Sequence, residues 1–169
     1  MKPQDCLVLL KVITMRRESW LGKNIASSLG LSQTEVSVSL ERSKFAGLMD
    51  DSKRRVNAGA FLGLLVHGIK FVFPVKLGGL VRGVPTAWSA APLCDLVSSN
   101  EAVVWPHEEG HIRGQAIEPL YASVPGASLQ DRDLHELLAL VDALRVGRLR
   151  EIELASKILK KRFEAYALD

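Results

Sequence analysis

The run His107-Glu108-Glu109-Gly110-His111 matches the H-E-x-x-H spacing that sets two imidazoles around zinc beside a general-base glutamate. That chemistry needs a helix, so that both rings share one face. Here Pro106 precedes the run, Gly110 lies inside it, Gly114 follows, and no apolar periodicity supports a helix. Glu118 is too close in sequence to act as a third ligand, so no metal site is expected. Cys6 and Cys94 have no CxxC or histidine partner and read as two reduced thiols. Gly78-Gly79 and Gly83 lack the strand–loop–helix setting of a phosphate loop. No nucleophile stands beside a base at catalytic spacing, and the expectation is a protein that is not an enzyme and carries no cofactor.

The residues with a function to argue are Ile25-Ala26-Ser27-Ser28-Leu29-Gly30-Leu31-Ser32-Gln33-Thr34-Glu35-Val36. A helix-turn-helix packs two helices steeply across a short turn. It needs a small residue for close approach (Ala26), a turn residue tolerant of positive φ (Gly30), and an apolar residue on the second helix facing the first (Val36). Ile25, Leu29, Leu31 and Leu40 complete a miniature core, and Ser32 with Glu35 forms the capping box that starts the second helix. With Val36 and Leu40 turned inward, Gln33, Thr34, Ser37, Val38 and Glu41 are expected to face outward.

The stretch Ser39 to Met49 resembles the "L-x-x-L-x-x-x-G-L-hydrophobic" ending of winged-helix recognition helices. Over residues 4–49, and on to 88, the chain resembles the winged helix-turn-helix superfamily, most closely its MarR-type bacterial regulators. Ser43 departs from the pattern, which usually has an apolar residue there. The wing is either Asp50–Arg55 or a hairpin turning at Gly78-Gly79. The resemblance implies sequence-specific binding of double-stranded DNA by a dimeric prokaryotic transcriptional regulator. Gln33, Thr34, Ser37, Val38 and Glu41 would then meet base edges, with Gln33 suited to adenine and the Thr34 methyl to thymine. Lys23, Ser32, Arg42, Lys44, Lys53, Arg54 and Arg55 would meet phosphates. The alternative is a protein-interaction module, such as an antitoxin, holding a partner protein through its C-terminal helices.

The elements that must position these residues are read from periodicity and caps. Helices are expected at about Gln4 to Arg17, Leu21 to Leu29, Gln33 to Ala46 and Ala58 to His67, the last capped by Asn57. Ile69 to Leu77 and Leu80 to Trp88 read as strands of a hairpin around Gly78-Gly79, with Phe71, Phe73, Trp88 and Trp105 as core. Residues 89–127 hold four of the seven prolines and read as an irregular connection. A helix capped by Ser128 or Asp131 runs to Val146, with Leu134, Leu137, Leu138, Val141 and Leu144 in one stripe, and a last helix spans Arg148 to Ala167. The fold class is therefore mainly α with a small β-hairpin (α+β). A winged helix-turn-helix domain (1–88), a linker (89–127) and a helical hairpin (128–169) follow in order. The hairpin serves either to dimerise or to pack within the chain.

The totals agree with a globular protein: 47% of the 169 residues are hydrophobic and 24% charged, with net charge +3. Residues 1–56 hold ten Lys and Arg against six Asp and Glu, so the positive excess lies with the helix-turn-helix. No apolar run approaches the roughly 18–20 residues a bilayer span requires. The N-terminus lacks the pattern of a signal peptide, and a cytoplasmic protein with no membrane partner is expected.

Overall fold

The computed structural model describes residues 1–16, 18–99 and 101–168; Arg17, expected to close the first helix, lies outside them. The elements in chain order are α1 (Pro3–Met15), α2 (Gly22–Leu29), α3 (Gln33–Phe45), α4 (Ala58–His67), α5 (Ile69–Val72), β1 (Leu80–Pro85), β2 (Val103–Pro106), β3 (Ile112–Ala116), α6 (Val124–Gln130), α7 (Arg132–Val146) and α8 (Leu149–Leu168). The chain is mainly helical with one small sheet, and among the described residues no helix is long and apolar enough to cross a membrane.

Two helices form the centre. α1 packs against α2, α3 and α7, and α7 packs against α1, α4, α5, α6 and α8. Enclosed in this way, each buries more than one stripe: Cys6 to Leu10 are all fully buried in α1, as is nearly every residue from Leu137 to Leu144 in α7. The Asp131 carboxylate caps α7 by accepting from the Leu134 N–H at 3.0 Å. The apolar stripe of α7 is thus packed within the chain, and one continuous apolar core runs from Cys6 to Tyr166.

The middle of the chain differs from the expected hairpin. Gly68 keeps helical dihedrals, so α4 leads directly into the short α5 where a strand was expected. β1 does not pair with the segment before it. It pairs antiparallel with β3 (Leu80↔Gln115 to Gly83↔Ile112) and with β2 (Gly83↔Pro106 to Pro85↔Val104). β2 and β3 run parallel, Val103 opposite Gln115, which closes the three strands on themselves. Gly78 and Gly79 are drawn onto this unit as well, exchanging backbone hydrogen bonds of 2.8 and 2.9 Å with Ala116. Residues 89–127, expected to be irregular, therefore supply two of the three strands and the start of α6. The aromatic and β-branched residues of 69–77 reported apolar surface rather than ladder partners, and tertiary pairing decided the outcome. Phe71, expected in the core, is 72% exposed, whereas Trp105 is fully buried.

At the barrel's crossing the backbones of β1 and the β2–β3 turn nearly touch. A Cβ on Gly83 would lie 2.1 Å from the Trp105 carbonyl oxygen, and one on Gly110 would lie 2.2 Å from the Gly83 carbonyl carbon. Trp105 is fixed from the helical side, its Nε1–H donating to Asp142 of α7 at 2.6 Å. The Thr86 hydroxyl donates to the same carboxylate at 2.9 Å, and the Arg145 guanidinium pairs with it at 2.7 Å.

Candidate nucleic-acid interface

The α2–turn–α3 unit is built as its residue types require. Gly30 adopts φ 63°, ψ 34°, a left-handed conformation that costs glycine little, and caps α2. The Leu31 N–H then returns to the Ala26 carbonyl at 2.9 Å, closing the turn. Ser32 and Glu35 cap α3 reciprocally: the Glu35 N–H donates to the Ser32 hydroxyl at 3.1 Å, and the Ser32 N–H donates to the Glu35 carboxylate at 2.8 Å. These bonds to Ser32 hold the Glu35 carboxyl below its ordinary value, and Tyr121 adds a further one from its hydroxyl. The positive end of α3 is therefore already met by a carboxylate of the same chain. Val36 and Leu40 are buried against α2, and Gln33, Thr34, Ser37, Val38 and Glu41 all face outward.

Directly after α3 the chain makes a minimal hairpin. Met49 and Val56 form an antiparallel bridge, the Asp50 N–H donates to the Arg55 carbonyl at 2.9 Å, and the Asn57 N–H donates to the Leu48 carbonyl at 2.9 Å. Asp50 organises the turn by accepting the N–H groups of Arg54 and Arg55 at 2.8 and 3.0 Å. The returning arm is fastened to α8, because the Val56 N–H donates to the Tyr166 hydroxyl at 3.0 Å. A groove of about 530 Å³ lies between this hairpin and α3, and it brings together Lys23, Gln33, Ser37, Lys53 and Arg54.

The cations expected at phosphates fall into three groups. Arg42 is turned inward and grips the fully buried Asp5 with two bonds, Nε to Oδ2 at 2.9 Å and Nη2 to Oδ1 at 2.5 Å. It ties α3 to α1 and is half-buried, its charge already met by Asp5. Lys44 and Lys53 are half-buried and paired, Lys44 with Asp51 at 3.3 Å and Lys53 with Glu41. Arg54 lies 4.9 Å from the Trp20 ring centroid and donates to the Trp20 carbonyl at 2.7 Å, which positions it without neutralising it. Lys23 and Arg55 are exposed, and the charge of Arg55 lies close enough to Asp50 to help hold that carboxyl below its ordinary value. Ser32 is exposed, with its hydroxyl engaged in the cap.

Sequence reasoning missed Asp5, Trp20 and Phe45. Asp5 lies 37 residues from its partner, and no local pattern links the two. Trp20 carried a local hint, a large aromatic in a polar turn before α2. Phe45 sits on the last turn of α3 at 97% exposure, against every expectation for its type.

The Asp5–Arg42 pair yields a first prediction. Burial pushes the Asp5 carboxyl up, but the hydrogen bonds from Arg42 and the Lys2 N–H, with the charge of Arg42, outweigh it and leave the carboxyl below its ordinary value. A depressed carboxylate contributes stability that is present above 3.8 and is lost as the pH falls through the folded-state value. Arg42→Ala leaves that carboxylate buried and unpaired, so a loss of about 2–3 kcal/mol is expected, with the acid-unfolding midpoint moved to higher pH. Asp5→Ala should cost less, because the freed guanidinium can turn to water. Urea titrations across acid pH check both, and equal losses for the two variants would contradict the arrangement.

Other tempting chemistry is not assembled. His107 to His111 form the turn between β2 and β3, with the Glu109 N–H donating to His107 Nδ1 at 3.2 Å, so the two imidazoles do not share a helical face. Among the described residues no group of three His, Cys, Asp or Glu side chains could hold a metal. Cys6 is buried, and burial pushes its thiol up to about 12, which removes it as a nucleophile.

Compared with protein-family models, curated proteins and solved structures, the chain matches none.

Proposed function

We propose that the chain binds duplex DNA sequence-specifically, as a winged helix-turn-helix whose wing is the Asp50–Arg55 turn. In this reading it is a transcriptional regulator of the prokaryotic MarR-like kind. The observation that carries the reading is the outward set on α3. Gln33, Thr34, Ser37, Val38 and Glu41 are exposed together, opposite the buried Val36 and Leu40, and beside a groove holding Lys23 and Arg54. A recognition helix needs this division, one side packed on its partner helix and the other free to enter the major groove. Phosphate contact falls to Lys23, Arg54 and Arg55, with Lys53 available where a phosphate displaces Glu41.

Fluorescence anisotropy of labelled duplexes between about 50 and about 200 mM salt tests this directly. Affinity should fall steeply with salt. Arg55→Ala should weaken binding to all sequences and reduce the salt slope by about one. Gln33→Ala should cost about 1–3 kcal/mol on preferred sequences and little on others. No duplex binding at the lower salt would end the reading.

A second reading, a protein-binding module, draws on a different surface from the C-terminal helices. Phe71, Val72, Leu77 and Leu80 are 72, 51, 40 and 60% exposed within ten residues, an apolar area of the kind that partner proteins or second copies cover.

A further inference from the structure

The outward surface of α3 is divided lengthwise. Gln33 and Ser37 line the groove shared with Lys53 and Arg54. Thr34, Val38, Glu41 and Phe45, spaced four, three and four residues apart, form a narrow row on the adjoining face. Three of these four present carbon: Thr34 its methyl group, Val38 its two methyls at 45% exposure, and Phe45 its ring at 97%. The acid in the row, Glu41, is paired with Lys53.

Carbon in the row and the cations of the adjoining groove together define an occupant. Lys23 and Arg54, which line that groove, suit a polyanion, which speaks against an apolar protein face as the row's partner. On the floor of the major groove the apolar feature is the C5-methyl of thymine, and aliphatic and aromatic side chains are the groups that contact it. The dimensions also suit it. Thr34 and Val38 are one turn apart, about 6 Å along the axis, close to two base-pair steps, and Phe45 lies about 10 Å farther on.

We infer that α3 selects A·T-rich duplex DNA by reading thymine methyl groups through Thr34 and Val38. Phe45 covers a further methyl toward the helix C-terminus, and the Gln33 amide pairs with adenine. This rests on the DNA-binding reading above and narrows it to a class of sequence.

Short duplexes with a randomised centre are selected on the full chain. The recovered pool is then copied once with thymidine and once with deoxyuridine triphosphate, which differ only in the C5-methyl. The recovered pool should be A·T-rich, and the thymine copy should bind up to roughly sixtyfold tighter than the uracil copy, at about fourfold for each of the three methyls where it is well buried. Val38→Ala should shrink that gap about fourfold, and Phe45→Ala should shrink it by a similar factor, with circular dichroism unchanged because both side chains are exposed. Equal binding of the two copies, or a G·C-rich pool, overturns this inference and leaves duplex binding standing. Failure of the wild-type chain to bind any duplex overturns both. Self-association in sedimentation that Phe45→Ala abolishes would assign the row to a second copy and overturn the inference.

Discussion

An Asp142→Ala protein is expected to lose about 3–5 kcal/mol of stability, which for a chain of this size lowers the unfolding midpoint by roughly 10 °C. The carboxylate is 1% exposed and serves three partners at once. It accepts from the Thr86 hydroxyl and the Trp105 indole, and it pairs with Arg145, whose side chain is only 4% exposed. Truncation strands two buried donors and a nearly buried guanidinium, and water cannot reach them without opening the contact between α7 and the strands. Arg145 would keep its bonds to the Phe73 and Glu118 carbonyls, so its charge would be hydrogen-bonded but not neutralised. Asp142→Asn should fall between, since an amide oxygen can still accept but cannot balance the charge. Thermal unfolding followed by circular dichroism measures all three proteins. A loss below about 1 kcal/mol for Asp142→Ala would mean that the network is not satisfied as described.

The second large effect is expected from one methyl group. Gly83→Ala should cost about 3 kcal/mol or more, because its Cβ would lie 2.1 Å from the Trp105 carbonyl oxygen and 2.8 Å from the carbonyl carbon. Both atoms belong to a paired strand, so relief requires separating β1 from β2 at the point where β1 passes from one partner to the other. Gly79→Ala is the matched control. Nothing lies within 4 Å of a Cβ there, and stability should stay within about 0.5 kcal/mol of the parent. Urea midpoints of the two variants should therefore separate widely, and similar midpoints would contradict the closed arrangement of the strands.

These contrasts mark where the sequence could be read and where it could not. α2, α3 and the turn between them were legible because their determinants are local: Ala26, Gly30, the Ser32–Glu35 cap and Val36 fall within eleven residues and each states one geometric requirement. The cap of α4 at Asn57 was legible for the same reason, whereas Asp131 was one of two candidates for α7 and the other, Ser128, lies buried inside α6. The barrel was not, because Leu80 pairs with Gln115 and Gly83 with Pro106, and nothing in a short window names a partner that distant. Its trace in the sequence was glycine inside a strand-like run, which signals close approach without saying to what. Among the expected phosphate contacts, Arg42 shows a further limit. A cation on an outward-reading helix looks available until a buried carboxylate from α1 is seen to hold it. Phe71 and Phe45 fail in the other direction, apolar by type and exposed in place.

The hydrogen bond from the Val56 N–H to the Tyr166 hydroxyl joins groups 110 residues apart. During synthesis at about 5–20 residues per second, the hairpin beside α3 waits roughly 5–20 seconds for this anchor to be made. Through most of that interval α1 also lacks α7, which ends at Val146, and its buried face of Cys6, Leu7, Leu9 and Leu10 has no cover from that side. The surface proposed to read DNA is thus completed only once α8 has been made, so a truncated chain released before α8 would expose apolar surface before it could present a finished recognition face.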